Sequence, residues 1–457
     1  MIILKQKALF LESDVATPVS VFLERVANRR QAGLLLESAE VGGVWGRYSL
    51  IGEGALMTLS CRKGLLEVET VDPRLIHLKE SQGLPFLEGL RSVIKKLTIE
   101  PDPTMAHLPP ITRALYGYLG YGVAGLMEAR LAKRLPPEAA EGGFILPHVV
   151  LLFDHLYNRL IEITLGGPPL DLPIHPQFPS GPDVITQNPT REEYLKMVRL
   201  ARDFISQGEL IQMVLSVGFE KPYAGDVFDV YRRLRRLNPS PYMFYLQIPD
   251  VCLTISSPEA LVSCEGDNLR LCPIAGTRPR GQDKGLDDLF EAELSADPKE
   301  KSEHVMLVDL GRNDLGRVAK PASVEVTRFM DVERFSHVMH LTSYLKAELA
   351  PGHDALDVLT ATFPAGTLSG APKIRAMELI ADLEMANRGP YGGANGWIGL
   401  DRGQVNMDFG ISIRGLWVRN GRAYWRAGAG IVYDSEPARE WTECLNKAAV
   451  VKAALTA

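Results

Sequence analysis

The stretch QVNMDFGISIRGLWVRNGRAYWRAGAGIV, residues 404–432, decides the fold. Asn420-Gly421 is the dipeptide that two-residue hairpin turns favour, because both central positions of such a turn need positive φ. The flanking runs are long and rich in β-branched and aromatic residues, so they read as antiparallel strands joined at that turn. Upstream, LIQMVLSVGF (210–219), YMFYLQI (242–248), VCLTIS (251–256) and NLRLCPI (268–274) read the same way. Helices alternate with them. Thr190 and Glu193 have capping-box spacing, Tyr194, Met197, Val198, Ala201 and Ile205 follow with helical period, and Gly208 stops the run. Residues 436–455 are predicted to be a further helix. Long antiparallel strands with helices between them predict an α+β fold rather than a regular βαβ alternation.

The 457 residues suffice for two or three domains or one large fold. LGGPPLDLPIHPQFPSGP (165–182) is too rich in proline and glycine for a helix or a central strand. It predicts a front portion over 1–164, a linker over 165–188 and a back portion over 189–457. Lys plus Arg number 50 against 56 Asp plus Glu, a net charge of -6, with no basic block to follow a phosphate backbone. Nucleic acid is excluded as a partner. No window approaches membrane-spanning length, and MIILKQKALFLESD lacks the apolar run of a signal peptide, so no membrane association and a cytoplasmic location are expected. Cys61, Cys252, Cys264, Cys272 and Cys444 form no CxxC pair and read as reduced thiols. None sits in the glycine-flanked setting of a nucleophile elbow.

Several segments carry candidate chemistry. In EWTEC (440–444), Glu440 and Glu443 share one helix face, which suits either a solvated surface or two hard oxygen ligands. EKSEHVMLVDLGRND (300–314) offers Glu303 just before an apolar run. In FPAGTLSGAPKIRAMELI (363–380), small residues surround Thr367 and Ser369, and Pro372 fits the first turn of the next helix, whose free amides favour an anion. RAGAGIV (426–432) strings Gly428, Ala429 and Gly430 along a strand end, where backbone N–H groups can hold a carboxylate. PIAGTRPRG (273–281) is a pre-organised turn with Thr277, Arg278 and Arg280, yet Ala275 contributes only a methyl. His340 lies on a presumed strand, HVMHL (337–341).

In order and spacing, SSPEALV (256–262), PIAGTRPRG, SEHVMLVDLGRNDLGRVA (302–319), HVMHL, FPAGTLSGAPK, GPYGGANGWIG (389–399), DFGISIR (408–414), AGAGIV and EWTECLNKA (440–448) resemble the chorismate-utilising enzymes, and among them the large subunits of anthranilate synthases. The resemblance covers nearly all of the back portion. It implies two stacked antiparallel β-sheets forming a sandwich flanked by helices. It implies Mg2+ at Glu303 and Glu443 with Glu440 beside them, bridging to the ring carboxylate of chorismate. Tyr391, Arg414 and the amides of Gly428, Ala429 and Gly430 match contacts to the enolpyruvyl carboxylate, and Gly276 and Thr277 match contacts on the ring side. Glu259 matches the acid that protonates the departing 4-hydroxyl. His340 and Thr367 match residues of the later elimination and of the substrate side.

The resemblance also gives the methyl of Ala275 a meaning. Relatives that aminate C4 carry an attacking lysine there, and those that make isochorismate or salicylate carry a water-activating lysine at the position of Gln212. With neither lysine present, ammonia is expected to add at C2, giving 2-amino-2-deoxyisochorismate and then anthranilate and pyruvate. LLES (35–38) in the front portion, carrying Leu36, Glu37 and Ser38, and NPSPYMF (238–244) in the back portion, carrying Asn238, Pro241, Tyr242 and Met243, resemble the two segments of a tryptophan feedback site. Physically they offer an acid for an ammonium group and an apolar wall for an indole. Ammonia is expected from a separate glutamine amidotransferase subunit. The alternatives are an enzyme that stops at aminodeoxyisochorismate, a 4-amino-4-deoxychorismate synthase component, and a non-catalytic tryptophan sensor.

Overall fold

A computed structural model of the chain describes residues 1–12, 14–39, 44–172, 184–335 and 338–456. Residues 173–183 of the expected linker lie outside the described residues. Two large sheets, of 12 and 11 strands, dominate the described architecture, and nearly all their pairings are antiparallel. Both portions of the chain feed both sheets. In the first, Tyr242–Ile248 pairs with Gly33–Glu37; in the second, Ala394–Gly399 pairs with Ala114–Leu119. The α+β sandwich is therefore knit across the linker rather than split by it.

Alternation builds the layers. One apolar cluster fills the space between the sheets, with Leu34, Leu50 and Leu152 from the first facing Leu59, Leu115 and Phe409 from the second. A second cluster packs the outer face of the first sheet under helices Arg191–Ser206, Val227–Leu237, Lys373–Glu384 and Pro437–Thr456, through residues such as Val198, Tyr231, Ile380 and Cys444. Each large side chain buried this way contributes about 1.5–3 kcal/mol relative to exposure. Thr190 caps its helix with the reciprocal bonds its spacing predicts.

The opening stretch folds as a hairpin with one amendment. Asn420 and Gly421 both have positive φ, 50° and 71°, and Gly415–Arg419 pairs with Arg422–Ile431. The upstream run is not one strand. Val405–Ile411 belongs to the second sheet, whereas Gly415–Arg419 belongs to the first. The chain changes sheets at residues 412–414, where Arg414 takes φ 52°. The helix after the small-residue turn starts at Lys373, so Pro372 is its N-cap rather than part of its first turn.

Candidate active site

The change of sheet creates the site. It projects Arg414 into a cavity of about 520 Å³ bounded by the ends of both sheets and by helices Pro298–Gly316 and Pro437–Thr456. Among the described residues, the Arg414 guanidinium has neither a hydrogen bond nor an ion pair, and burial pulls its pKa below the ordinary arginine value. A cation held this way, without a partner, favours an anionic ligand. Arg422–Ile431 supplies the neighbouring wall. Its alternation sends Ala427, Ala429 and Ile431 into the helix-side core, while Gly428 and Gly430 line the cavity. Beyond Trp425 this strand pairs only with Gln212–Pro222. The Gly428 carbonyl accepts from Lys447 Nζ at 3.1 Å, which places the backbone edge of Gly428, and by alternation that of Gly430, on the side without a paired strand. Side chains would fill this space: a Cβ on Gly428 would lie 2.7 Å from Tyr391 Oη, and one on Gly430 2.4 Å from Gln212 Nε2.

Glu259 faces the same cavity. Burial pushes its carboxyl up to about 8, against the opposing effect of the Thr367 hydroxyl, which donates to Glu259 Oε1 at 2.9 Å. At neutral pH it is therefore mainly an acid with a proton to give. The Thr367 turn is itself fixed from below. Arg388 donates to the Leu368 carbonyl at 2.7 Å and the Val214 carbonyl at 2.6 Å, and pairs with Glu384 at 2.7 Å in the interior.

Four carboxylates form the opposite wall, Glu300 and Glu303 from one helix and Glu440 and Glu443 from the other. Burial first, then Glu443, raises Glu440 above its usual range; burial, then Glu303, does the same to Glu300. Among the described residues, no three acidic, histidine or cysteine side chains converge closely enough to hold a metal alone. Hard oxygen donors from two helices, mutually repelling and open to a cavity, still fit Mg2+, which keeps waters and substrate oxygens among its ligands. Lys447 Nζ lies 2.5 Å from Glu443 Oε1, and Gln212 Nε2 donates to Glu303 Oε1 at 3.3 Å.

The last wall is Ile274–Pro279 against Val338–Glu348. Gly276 has φ 61°, which favours glycine, and a Cβ there would also press on Leu294 Cδ1 at 2.8 Å. Ala275 faces the cavity. His340 Nδ1 donates to the Gly276 carbonyl at 2.8 Å, with Thr277 Oγ1 at 3.1 Å. Burial lowers the His340 pKa, so the ring is neutral and its lone pair sits on Nε2. Arg278 and Arg280 do not enter the cavity. They pair instead with Asp297 at 2.9 Å and Asp287 at 2.7 Å.

Residues 77–453 match the family model of chorismate binding enzymes. The chain is 41% identical to anthranilate synthase component 1 of Streptomyces coelicolor over 98% of its own length and 87% of that protein's. It is 40% identical to the component 1 protein of Thermus thermophilus, over 96% of each. The structure of anthranilate synthase component I from Streptococcus pneumoniae superposes with a TM-score of 0.72 and 31% identity, over 96% of this chain and 98% of that one. The chain belongs to the chorismate-binding enzymes, in the anthranilate synthase component 1 branch.

In this chorismate-binding enzyme, every candidate catalytic, substrate and metal residue named from the sequence lines the one cavity, except Ala429, whose side chain points to the opposite face. Lys299, Glu300, Arg426 and Lys447 also line it and were missed. Lys447 had a readable signal, lying four residues after Glu443 on one helix face. Arg426 had one in its even alternation with Gly428 and Gly430.

A second cavity, of about 80 Å³, lies between the sheets of the same enzyme and joins LLES of the front portion to NPSPYMF of the back portion. Met243 pairs with Glu37 across the strands, so the expected juxtaposition forms. Alternation divides its residues. Leu36, Tyr242 and Phe244 share the inward face. Met243 enters the helix-side core, and Glu37, also on that side, accepts from Tyr231 at 2.7 Å and pairs with Arg235 at 2.9 Å. Ser38 and Pro241 line the cavity. Asn238 donates to Ser240 and Ser256 and braces the bend from outside. Glu37 is therefore not the free acid its sequence position suggests. Gly122 has no room for a side chain: a Cβ there would lie 2.1 Å from the Ala139 carbonyl.

Proposed function

We propose that the chain converts chorismate and ammonia to anthranilate and pyruvate through 2-amino-2-deoxyisochorismate. The observation that carries this reading is that Ala275 and Gln212 both line the cavity that holds the protonated Glu259. A methyl cannot attack the ring, and an amide engaged with Glu303 cannot activate water. The space beside the ring is left to ammonia.

Arg414 and Tyr391, with the amides along Gly428 and Gly430, hold the enolpyruvyl carboxylate. Thr277 and Gly276 bound the ring side. Ammonia adds at C2 as the 4-hydroxyl leaves, and Glu259 supplies the proton that lets it leave as water. Thr367 holds that acid in place. In the second step a proton is lost from C2, the C2–C3 double bond forms as the C3–O bond breaks, and the departing enolpyruvate takes up a proton at its methylene carbon to become pyruvate. Neutral His340, with Nε2 as its lone-pair nitrogen, is the group available to accept a proton there. Glu303, Glu440 and Glu443 would hold Mg2+, which when bound neutralises and orients the ring carboxylate.

Among the described residues no helix is long and apolar enough to cross a membrane. The remaining parts of the reading are a cytoplasmic location, a glutamine amidotransferase subunit as the source of ammonia, and feedback inhibition by tryptophan at the inter-sheet cavity. None of the five cysteines forms a disulfide among the described residues, and burial pushes Cys61, Cys252, Cys264 and Cys444 up to about 12, which supports inert thiols rather than a glutaminase nucleophile. The test is an assay of the purified chain with chorismate, Mg2+ and ammonium salt, followed by anthranilate fluorescence. Product should form and rise with the free ammonia fraction, and glutamine alone should give none. Accumulation of the amino intermediate without anthranilate would overturn the second step. Glutamine-driven turnover by this chain alone would overturn the need for a partner.

A further inference from the structure

The inter-sheet cavity contains a carboxylate, the first residue of DFGISIR, to which the sequence analysis assigns no role. Asp408 sits on Val405–Ile411, paired across its sheet with Trp397 and Ser263, and lines the cavity opposite Leu36, Ser38 and Tyr242. The Tyr242 hydroxyl donates to Asp408 Oδ1 at 2.9 Å, and a Cβ on Gly410 would lie 2.7 Å from the Tyr242 ring, so that ring is clamped above the strand. Among the described residues no arginine, lysine or histidine pairs with this carboxylate. Burial pushes it up to about 7, partly offset by Tyr242 and by the more distant Arg270. An acid enclosed by Trp397, Tyr48, Tyr242 and Phe244 without a counter-ion is costly unless a cation arrives with the ligand. Glu37 also borders the cavity, but its carboxylate is directed to the helix side of its strand, where it already holds Arg235 and Tyr231, and so is not free for that role.

We propose that Asp408, not Glu37, is the residue that receives the ammonium group of an aromatic amino acid bound in this cavity. The inference rests on the regulatory reading above and assigns its charge recognition to a strand of the second sheet. A ligand bridging Ser38 and Asp408 would tie one sheet to the other. Val405–Ile411 runs directly into residues 412–414, the crossing that carries Arg414 into the active site. An occupied inter-sheet cavity thus has a short covalent path to the substrate's anion-binding arginine.

The test is calorimetric titration of L-tryptophan and of indole-3-propionate, which lacks the ammonium group, into the full chain and its variants. Asp408→Asn should weaken L-tryptophan more than about tenfold, the scale of a lost charge-assisted hydrogen bond, yet bind indole-3-propionate at least as well as the wild type. Glu37→Gln should change L-tryptophan affinity less than about threefold. Tyr242→Phe keeps the ring and removes the donor to Asp408; it should weaken L-tryptophan severalfold and gives a second reading if Asp408→Asn does not fold. L-Tryptophan binding unchanged in Asp408→Asn, or in Tyr242→Phe should that be the variant that folds, would overturn the assignment while leaving the regulatory site standing. Failure of the wild type to bind L-tryptophan would overturn both.

Discussion

The two cavities are built from opposite materials. The larger lies where strands end and helices begin, and it collects charge: Glu259, four further carboxylates, Arg414, Arg426 and two lysines. The smaller lies between two sheet faces and is mostly aromatic and aliphatic, with Asp408 as its carboxylate on the inward faces. Strand ends leave backbone groups unpaired and let side chains converge from several directions, which suits chemistry on a charged substrate. Sheet faces offer a regular apolar grid, which suits recognition of a flat ligand with one polar handle. If this contrast is correct, substitutions in the first cavity act on rate and those in the second act on ligand affinity.

The sharpest break would come at Glu259. Glu259→Gln keeps the shape and the bond to Thr367 but removes the proton, and kcat should fall about a thousandfold. At a fixed free-ammonia concentration the wild-type rate should decline as pH passes about 8, where Glu259 ionises, and the variant should lack that limb. Stability gives an independent reading. The folded-state pKa is raised, so between about 4.5 and 8 the unfolded chain releases a proton that the folded chain keeps. This contribution lowers stability as pH rises through that window and levels off above it. Glu259→Gln should flatten the dependence in denaturant titrations.

Glu443→Ala should cost at least about a hundredfold in rate, with the loss not recovered at saturating Mg2+, because a negative ligand facing the substrate carboxylate is gone. It also releases Lys447 from its 2.5 Å contact. A folded variant with normal turnover at limiting Mg2+ would contradict the metal assignment. Ala275→Lys should lower anthranilate formation roughly tenfold or more, since it buries an ammonium group where the site holds a methyl. Bound chorismate should restore part of the variant's lost stability, measured as its thermal midpoint with and without substrate. Unchanged product formation would mean that residue 275 does not face the reacting ring.

The smallest effect belongs to the second cavity. Glu37→Gln should leave the rate unchanged and cost about 1 kcal/mol of stability, read by chemical denaturation, because Arg235 is partly exposed and water replaces much of the lost pair. A large loss of tryptophan affinity in this variant would erase the distinction between the two acids.

Much of this was legible in the chain. The Asn420-Gly421 turn, the capping box at Thr190, the antiparallel strands and the α+β class follow from local chemistry that needs no partner. Of the residues that gather in the large cavity, the glycines at a strand end and the paired acids on a helix leave recognisable spacing, whereas Glu259, Gln212, Gly276, Tyr391 and Arg414 were named through the family resemblance. Even the division of LLES was available in principle, since residues alternate faces along a strand and Glu37 cannot share a face with Leu36 and Ser38.

By itself, then, the sequence determined which backbone conformations are cheap, where the turns fall and which residue types stand ready for chemistry. It could not reveal that the run at 404–418 breaks between two sheets, because both halves have strand propensity and only pairing with Ala260–Gly266 and Ala394–Gly399 on one side and Val251–Ser257 on the other separates them. Nor could it reveal which charges are spent. Glu37, Arg278 and Arg280 look available but are neutralised by Arg235, Asp297 and Asp287, whereas among the described residues Arg414 and Asp408 form no ion pair. Tertiary structure decided this, because a buried charge takes its proton affinity and its free valence from whichever groups the fold brings within a few ångströms, and many of those lie far away along the chain.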